Sequence, residues 1–215
     1  MRHRFHAVIA LTLVVAGLAE GADRKWVKLR SANFELFTSA SERAGRRTIQ
    51  EFERTRSFFG QMMQRELSNP IPVRIVLFRS KKEYLPYRPG EVAAAYYLPG
   101  RDADLIVLVA GSESSMAIHE YVHLLVRHSG LQLPLWMNEG LADLYSSMRQ
   151  VGGQFVVGYA DPGRVAILRE EKWVPLEQVL AADHDSRHYT EKERAGKFYA
   201  ESWALTQSFL RTLLA

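Results

Sequence analysis

Residues 119–123 read His119-Glu120-Tyr121-Val122-His123, two histidines four apart with a glutamate beside the first. On a helix this spacing puts both imidazoles on one face, one turn apart, where they can converge on a single ion. Glu120 is then placed to reach a water on the open side of that ion. Seven His and 17 Glu in 215 residues make a chance match to this pattern roughly a 0.02 event over the whole chain. The surrounding stretch is apolar, with Met116, Ala117, Ile118, Val122, Leu124, Leu125 and Val126. Two histidines and a carboxylate buried in such a helix without partners are costly, and a metal removes that cost.

The chain has no cysteine. That excludes a disulfide scaffold, a thiolate metal site, a cysteine nucleophile and a lipid-modified N-terminal cysteine. Nitrogen and oxygen donors with one position left for water point to Zn²⁺ as the cofactor. A third protein ligand is then required. His128 follows His123 by five residues, one short of the metzincin spacing, with Val126 where that pattern has Gly. His184 and His188 lie in a polar stretch. Glu139 is the strongest candidate, on an apolar segment after Pro134 that begins Leu135-Trp136-Met137-Asn138. It would face the two histidines across an antiparallel helix pair. Asp143, one turn beyond Glu139, is placed to accept a hydrogen bond from a ligand imidazole and fix its tautomer.

His119–His123 followed by Trp136-Met137-Asn138-Glu139-Gly140-Leu141-Ala142 resembles the gluzincin metallopeptidases. The W-x-N-E-G-x-A segment is similar to that of the aminopeptidase-N-like branch. The layout is closer to small bacterial peptidase-MA-like domains, in which a strand-rich part precedes the zinc helix. A late helix also matches theirs at Tyr199-Ala200-Glu201-Ser202-Trp203-Ala204. The motifs cover residues 105–145 and 198–205 and the layout most of 25–215. Two departures stand out. Fifteen residues separate His123 from Glu139, a few fewer than in the thermolysin and aminopeptidase-N branches. The Gly-x-Met-Glu-Asn element that grips a substrate N-terminus is absent, which removes the reason to expect an aminopeptidase.

The resemblance implies a zincin-like fold and an exported zinc peptidase acting on a peptide or protein substrate. His119, His123 and Glu139 would hold the metal, and Glu120 would act as general base on the attacking water. Tyr199 would donate to the oxyanion, by analogy with the Tyr or His on a later helix in gluzincins. By fold analogy Leu105–Val109 would be the edge strand to which an extended peptide adds. Two other readings use the same ligands: a non-catalytic zinc-containing binding domain, and a zinc hydrolase acting on a non-peptide bond.

The elements that must position these residues follow from patterning. Trp26–Leu29, Asn33–Thr38, Val73–Phe78, Val92–Leu98 and Asp104–Ala110 read as strands. Ser41–Glu66 reads as a long amphipathic helix, capped by Ser39 or Ser41. Helices are expected from Ser114 or Ser115 to His128, over Trp136–Ser147, after Pro162 and Pro175, and over Thr190–Leu214. Gly152-Gly153 before Gln154–Tyr159 predicts a hairpin. No repeat or low-complexity linker interrupts them. The fold class is α+β: a small N-terminal mixed sheet with a long helix, then a helical zinc-binding part. The expected domain is 22–215, strand-rich over 22–112 and helical over 113–215.

Residues 1–21 carry Arg2 and Arg4 before a short apolar run, Ala7–Ala19. Thirteen residues fall short of the about 20 a membrane helix needs and suit a secretory signal peptide cut after Gly21 or Ala19. Export to the periplasm or medium is therefore expected, with no stable membrane span once the signal is removed. Losing Arg2, Arg4 and Glu20 takes the net charge from +4 to +3. The basic residues are scattered, with no dense stripe interleaved with aromatics, so no nucleic-acid partner is expected. The last helix stays apolar to the final residues, which predicts a further domain or a partner packing on it.

Overall fold

The computed structural model describes residues 26–90, 93–112, 114–170 and 172–214. The signal segment expected at residues 1–21 lies outside them. Five strands, β1 (Val27–Arg30), β2 (Phe34–Thr38), β3 (Val73–Phe78), β4 (Tyr96–Leu98) and β5 (Asp104–Val109), form one mixed sheet in the order β1-β2-β3-β5-β4. β2, β3 and β5 run parallel, while β1 and β4 close the two edges antiparallel. The fold is thus mixed α/β. The long helix α1 (Glu42–Met62) is the crossover from β2 to β3, and a short α2 (Lys81–Tyr84) follows β3. Ser41 caps α1 by accepting from the Ala44 N–H. The helix stops before the expected Glu66, where Gln64 takes a left-handed backbone (φ 51°).

The sheet's alternation explains the layers. Leu36, Val73, Ile75, Leu77, Ile106 and Leu108 point to one face, where Ile49, Phe52 and Phe59 of α1 join them. Ile118, Tyr121, Val122 and Leu124 of α3 (Ser114–Ser129) complete that core. The metal-motif helix is therefore anchored by its apolar face, and His119, Glu120 and His123 line a cleft. Val107, Phe78 and Tyr84 form a smaller core on the other face of the sheet. β5 is apolar on both faces, the pattern of an interior strand.

Leu105–Val109 is accordingly not the edge strand that fold analogy suggested. It lies between β3 and β4, hydrogen-bonded on both sides, and the edge beside the cleft is β4. Of the expected Val92–Leu98, Val92 lies outside the described residues, and Tyr96–Leu98 forms the strand among the rest.

After α3 comes α4 (Leu135–Ser146), then a hairpin of β6 (Arg149–Val151) and β7 (Gln154–Val156). α5 (Pro162–Leu168) and α6 (Leu176–Leu180) begin at or just after the two prolines that mark them in the sequence. The expected last helix starts two residues late, at Lys192 instead of Thr190. A short α7 (Arg187–Thr190) ends at Glu191, whose extended backbone separates it from α8 (Lys192–Leu214). α4 packs against α3 on one side and α8 on the other. Gly140 lets α4 and α8 approach closely, since a Cβ there would lie 2.3 Å from the Ser202 carbonyl oxygen. Among the described residues, no helix is long and apolar enough to cross a membrane.

Candidate metal centre

His119 and His123 leave α3 one turn apart, and their Nε2 atoms lie 3.0 Å from each other. Glu139 enters from α4. Its Oε2 is 3.2 Å from His119 Nε2 and 3.5 Å from His123 Nε2. The two histidines are about 15% exposed, while Glu139 is 3% exposed. Ligand atoms of all three lie within 4.8 Å of one another, so this group can hold a metal ion.

The far edge of each imidazole is fixed. His119 Nδ1 is 3.1 Å from Asp143 Oδ1, and His123 Nδ1 is 3.1 Å from the side-chain oxygen of Asn138. Both partners are acceptors, so each neutral ring carries its proton on Nδ1 and turns a bare Nε2 lone pair inward. Two lone pairs then face each other across 3.0 Å. Glu139 Oε2 adds negative charge at the same point, buried and without a hydrogen-bond partner. Such an arrangement is unfavourable unless positive charge sits among the three atoms. The donor set therefore fits a cation.

The local electrostatics point the same way. Burial pulls the His119 and His123 imidazoles down, yet the neighbouring carboxylates outweigh it. Both are held above their ordinary range, His119 well above by Asp143 and Glu139, and His123 by Glu139. Burial pushes the Glu139 carboxyl up, but the two imidazoles reverse that and hold it well below the usual carboxylate range. Glu120 is raised, chiefly by burial, against the opposing pull of the two imidazoles. The backbone amide of Tyr97 on β4 lowers it slightly.

These groups line a cleft of about 1640 Å³ walled by α3, α4, the β4 segment and the start of α5. Tyr199 comes in from α8, its ring 6.3 Å from that of His119. Burial, then the Glu139 and Asp143 charges and Tyr189, hold its phenol well above the ordinary value, so it remains a donor. Asp143 is also engaged by Arg164 of α5 at 2.6 Å, and that guanidinium lies over the Tyr199 ring.

His119, Glu120, His123, Glu139, Asp143 and Tyr199 thus come together. The other histidines weighed as third ligand do not. His128 pairs with buried Asp104 at 2.6 Å, His188 with Gln178 at 2.7 Å, and His184 packs its ring edge against Tyr189. Four residues at the site went unread in the sequence: Asn138, Arg164, Tyr189 and Tyr97. Asn138 had a signal, since it directly precedes Glu139 and so sits on the same turn facing α3. Arg164 and Tyr189 come from short helices distant in sequence and had none. Comparisons with known protein families, with curated proteins and with solved structures found no match.

Proposed function

We propose that the chain is a zinc-dependent peptidase of the gluzincin type, on a zincin-like fold. One observation carries the reading. His119 Nε2, His123 Nε2 and the unpartnered Glu139 Oε2 converge, while a second carboxylate, Glu120, stands beside them in the same cleft. A purely structural metal site has no use for that extra carboxylate. Nitrogen and oxygen ligands without thiolate favour zinc among the common ions and match catalytic rather than structural sites.

A bound zinc ion supplies Lewis acidity, bringing the ionisation of water toward neutral pH and polarising a carbonyl. The chain's own groups do the rest. Glu120 takes the proton of the attacking water and passes it to the leaving nitrogen. Its raised affinity for protons makes it a better base than an exposed glutamate. Tyr199 donates to the developing oxyanion. Asp143 and Asn138 hold the ligand rings. The free edge of β4 borders the cleft and suits an extended peptide.

The test compares wild type with Glu120→Gln for zinc content and for cleavage of an unstructured protein. About one zinc per chain in both, with cleavage reduced on the order of 10²- to 10⁴-fold in the variant, is the expected result. Zinc in both with no cleavage by either favours the non-catalytic binding domain. Cleavage of an ester or other bond but not of peptides favours the third reading. Less than half an equivalent of zinc after metal-replete purification overturns all three.

A further inference from the structure

Tyr189 belongs to no motif, yet its hydroxyl donates to Glu139 Oε1 at 3.2 Å. That is the carboxylate oxygen not turned to the histidines; Oε2 is the one beside both Nε2 atoms. The Tyr199 ring lies beside that of Tyr189, at a centroid distance of 6.0 Å.

The ring has little freedom. It packs edge-on against Phe198 and His184 and tilted against Tyr199, at centroid distances of 5.4–6.0 Å. Its short helix is pinned by His188 on Gln178 and by a turn in which Ser186 bridges to Asp183. Glu191 ion-pairs with Arg187 and with Arg194 across the junction to α8.

A glutamate with both oxygens free can offer an ion one oxygen or two. Two would raise the coordination number and crowd the position a substrate or water must use. A fixed hydroxyl on one oxygen removes the choice. We propose that Tyr189 is a positioning residue that engages one oxygen of Glu139, so that the carboxylate presents a single oxygen to the ion held with His119 and His123. This rests on the metal-site reading above. Tyr199, by contrast, makes no hydrogen bond to Glu139, whose Oε1 is engaged by Tyr189.

The test uses the full chain as wild type, Tyr189→Phe and Tyr199→Phe. Zinc affinity is measured by competition with a chromophoric chelator, and the visible spectrum of the cobalt(II)-substituted protein is recorded. Phenylalanine keeps the ring contacts, so the fold survives. Tyr189→Phe is expected to weaken zinc binding by about 10-fold, within the range for an outer-shell partner. Its cobalt absorption should drop from the intense four-coordinate form to a weaker form of higher coordination. Tyr199→Phe should keep the wild-type spectrum and an affinity within about 2-fold of wild type. A Tyr189→Phe protein that matches wild type in both measurements overturns the proposal and leaves the metal site standing. Weakened binding with an unchanged cobalt spectrum also overturns it, because that signals general loosening. A wild type that binds no zinc overturns the metal reading and this inference together.

Discussion

Asp143 Oδ1 lies 3.1 Å from His119 Nδ1, on the ring edge opposite the nitrogen that meets His123 and Glu139. The same carboxylate is held from behind by Arg164 at 2.6 Å. The order is guanidinium, carboxylate, imidazole, and each member fixes the next. Because Asp143 is one turn on from Glu139 along α4, one helix delivers both a candidate ligand and the group that orients another ligand.

Asp143→Ala should therefore weaken zinc binding by about 10- to 100-fold without removing any ligand. Asp143→Asn should do less, since its side-chain oxygen can still accept from His119. Chelator competition on the three proteins checks the order. An alanine variant with wild-type affinity would show that helix packing alone fixes His119.

Gly140→Ala tests how α8 supports the site. A Cβ at 140 would lie 2.1 Å from Thr206 Oγ1 and 2.3 Å from the Ser202 carbonyl oxygen. The second contact is with backbone, so no rotamer change relieves it and the helices must separate. Overpacking of this kind costs about 1–3 kcal/mol, which exceeds the at most about 1 kcal/mol that alanine gains over glycine in a helix. A lower urea midpoint is expected. Zinc affinity should fall with it, because Glu139 precedes the displaced residue. A stabilised variant would contradict the close helix approach.

The residues that coincide at the site were legible because their spacing is local. His119, Glu120 and His123 sit within one helical turn, and Glu139 and Asp143 within another, so helix periodicity alone predicts which faces they share. The sheet's strand order was not legible. β5 reads as a run of apolar residues whether it is central or at an edge, and only its two neighbours decide. Tyr189 and Arg164 were illegible for another reason. They reach the cluster through the packing of α5 and α7 on α8, which leaves no periodic trace in the sequence.

Tyr84 carries an alkaline signature. It is 1% exposed, and its hydroxyl donates to the Ala93 carbonyl, at the start of the segment that leads into β4. Burial, with smaller contributions from nearby groups, pushes its phenol up to about 12. The folded state thus favours the protonated phenol beyond the unfolded value of about 10. That contribution is whole below pH 10 and is lost as pH rises toward 12. Tyr84→Phe should cost about 1 kcal/mol at pH 7 through the missing hydrogen bond. The gap between wild type and variant should narrow between pH 10 and 12, because only wild type titrates there. Urea midpoints at pH 7 and pH 11.5 decide, and a gap that widens would refute the assignment.

Asp104 separates control of the edge strand from control of the metal. It is fully buried at the start of β5. Oδ1 accepts from the Tyr97 hydroxyl at 2.8 Å and from the Gly100 N–H at 3.2 Å, while Oδ2 meets His128 Nε2 at 2.6 Å. One carboxylate thereby ties β4 and the turn after it to the last turn of α3. Asp104→Ala would strand all three partners and should cost about 3–5 kcal/mol, as for other broken buried pairs. Asp104→Asn keeps the acceptor for Tyr97 and Gly100 and keeps the side-chain volume beside His128, so it should fold. Its zinc affinity should stay near wild type, because His119 and His123 are oriented by Asp143 and Asn138 instead. Peptide KM should rise several-fold with a smaller change in kcat, since an amide oxygen holds the Tyr97 hydroxyl and the Gly100 N–H less tightly than a carboxylate oxygen does, while Glu120 and the ligands remain. If zinc affinity falls as far as in Asp143→Ala, Asp104 acts on the metal helix and not on the strand.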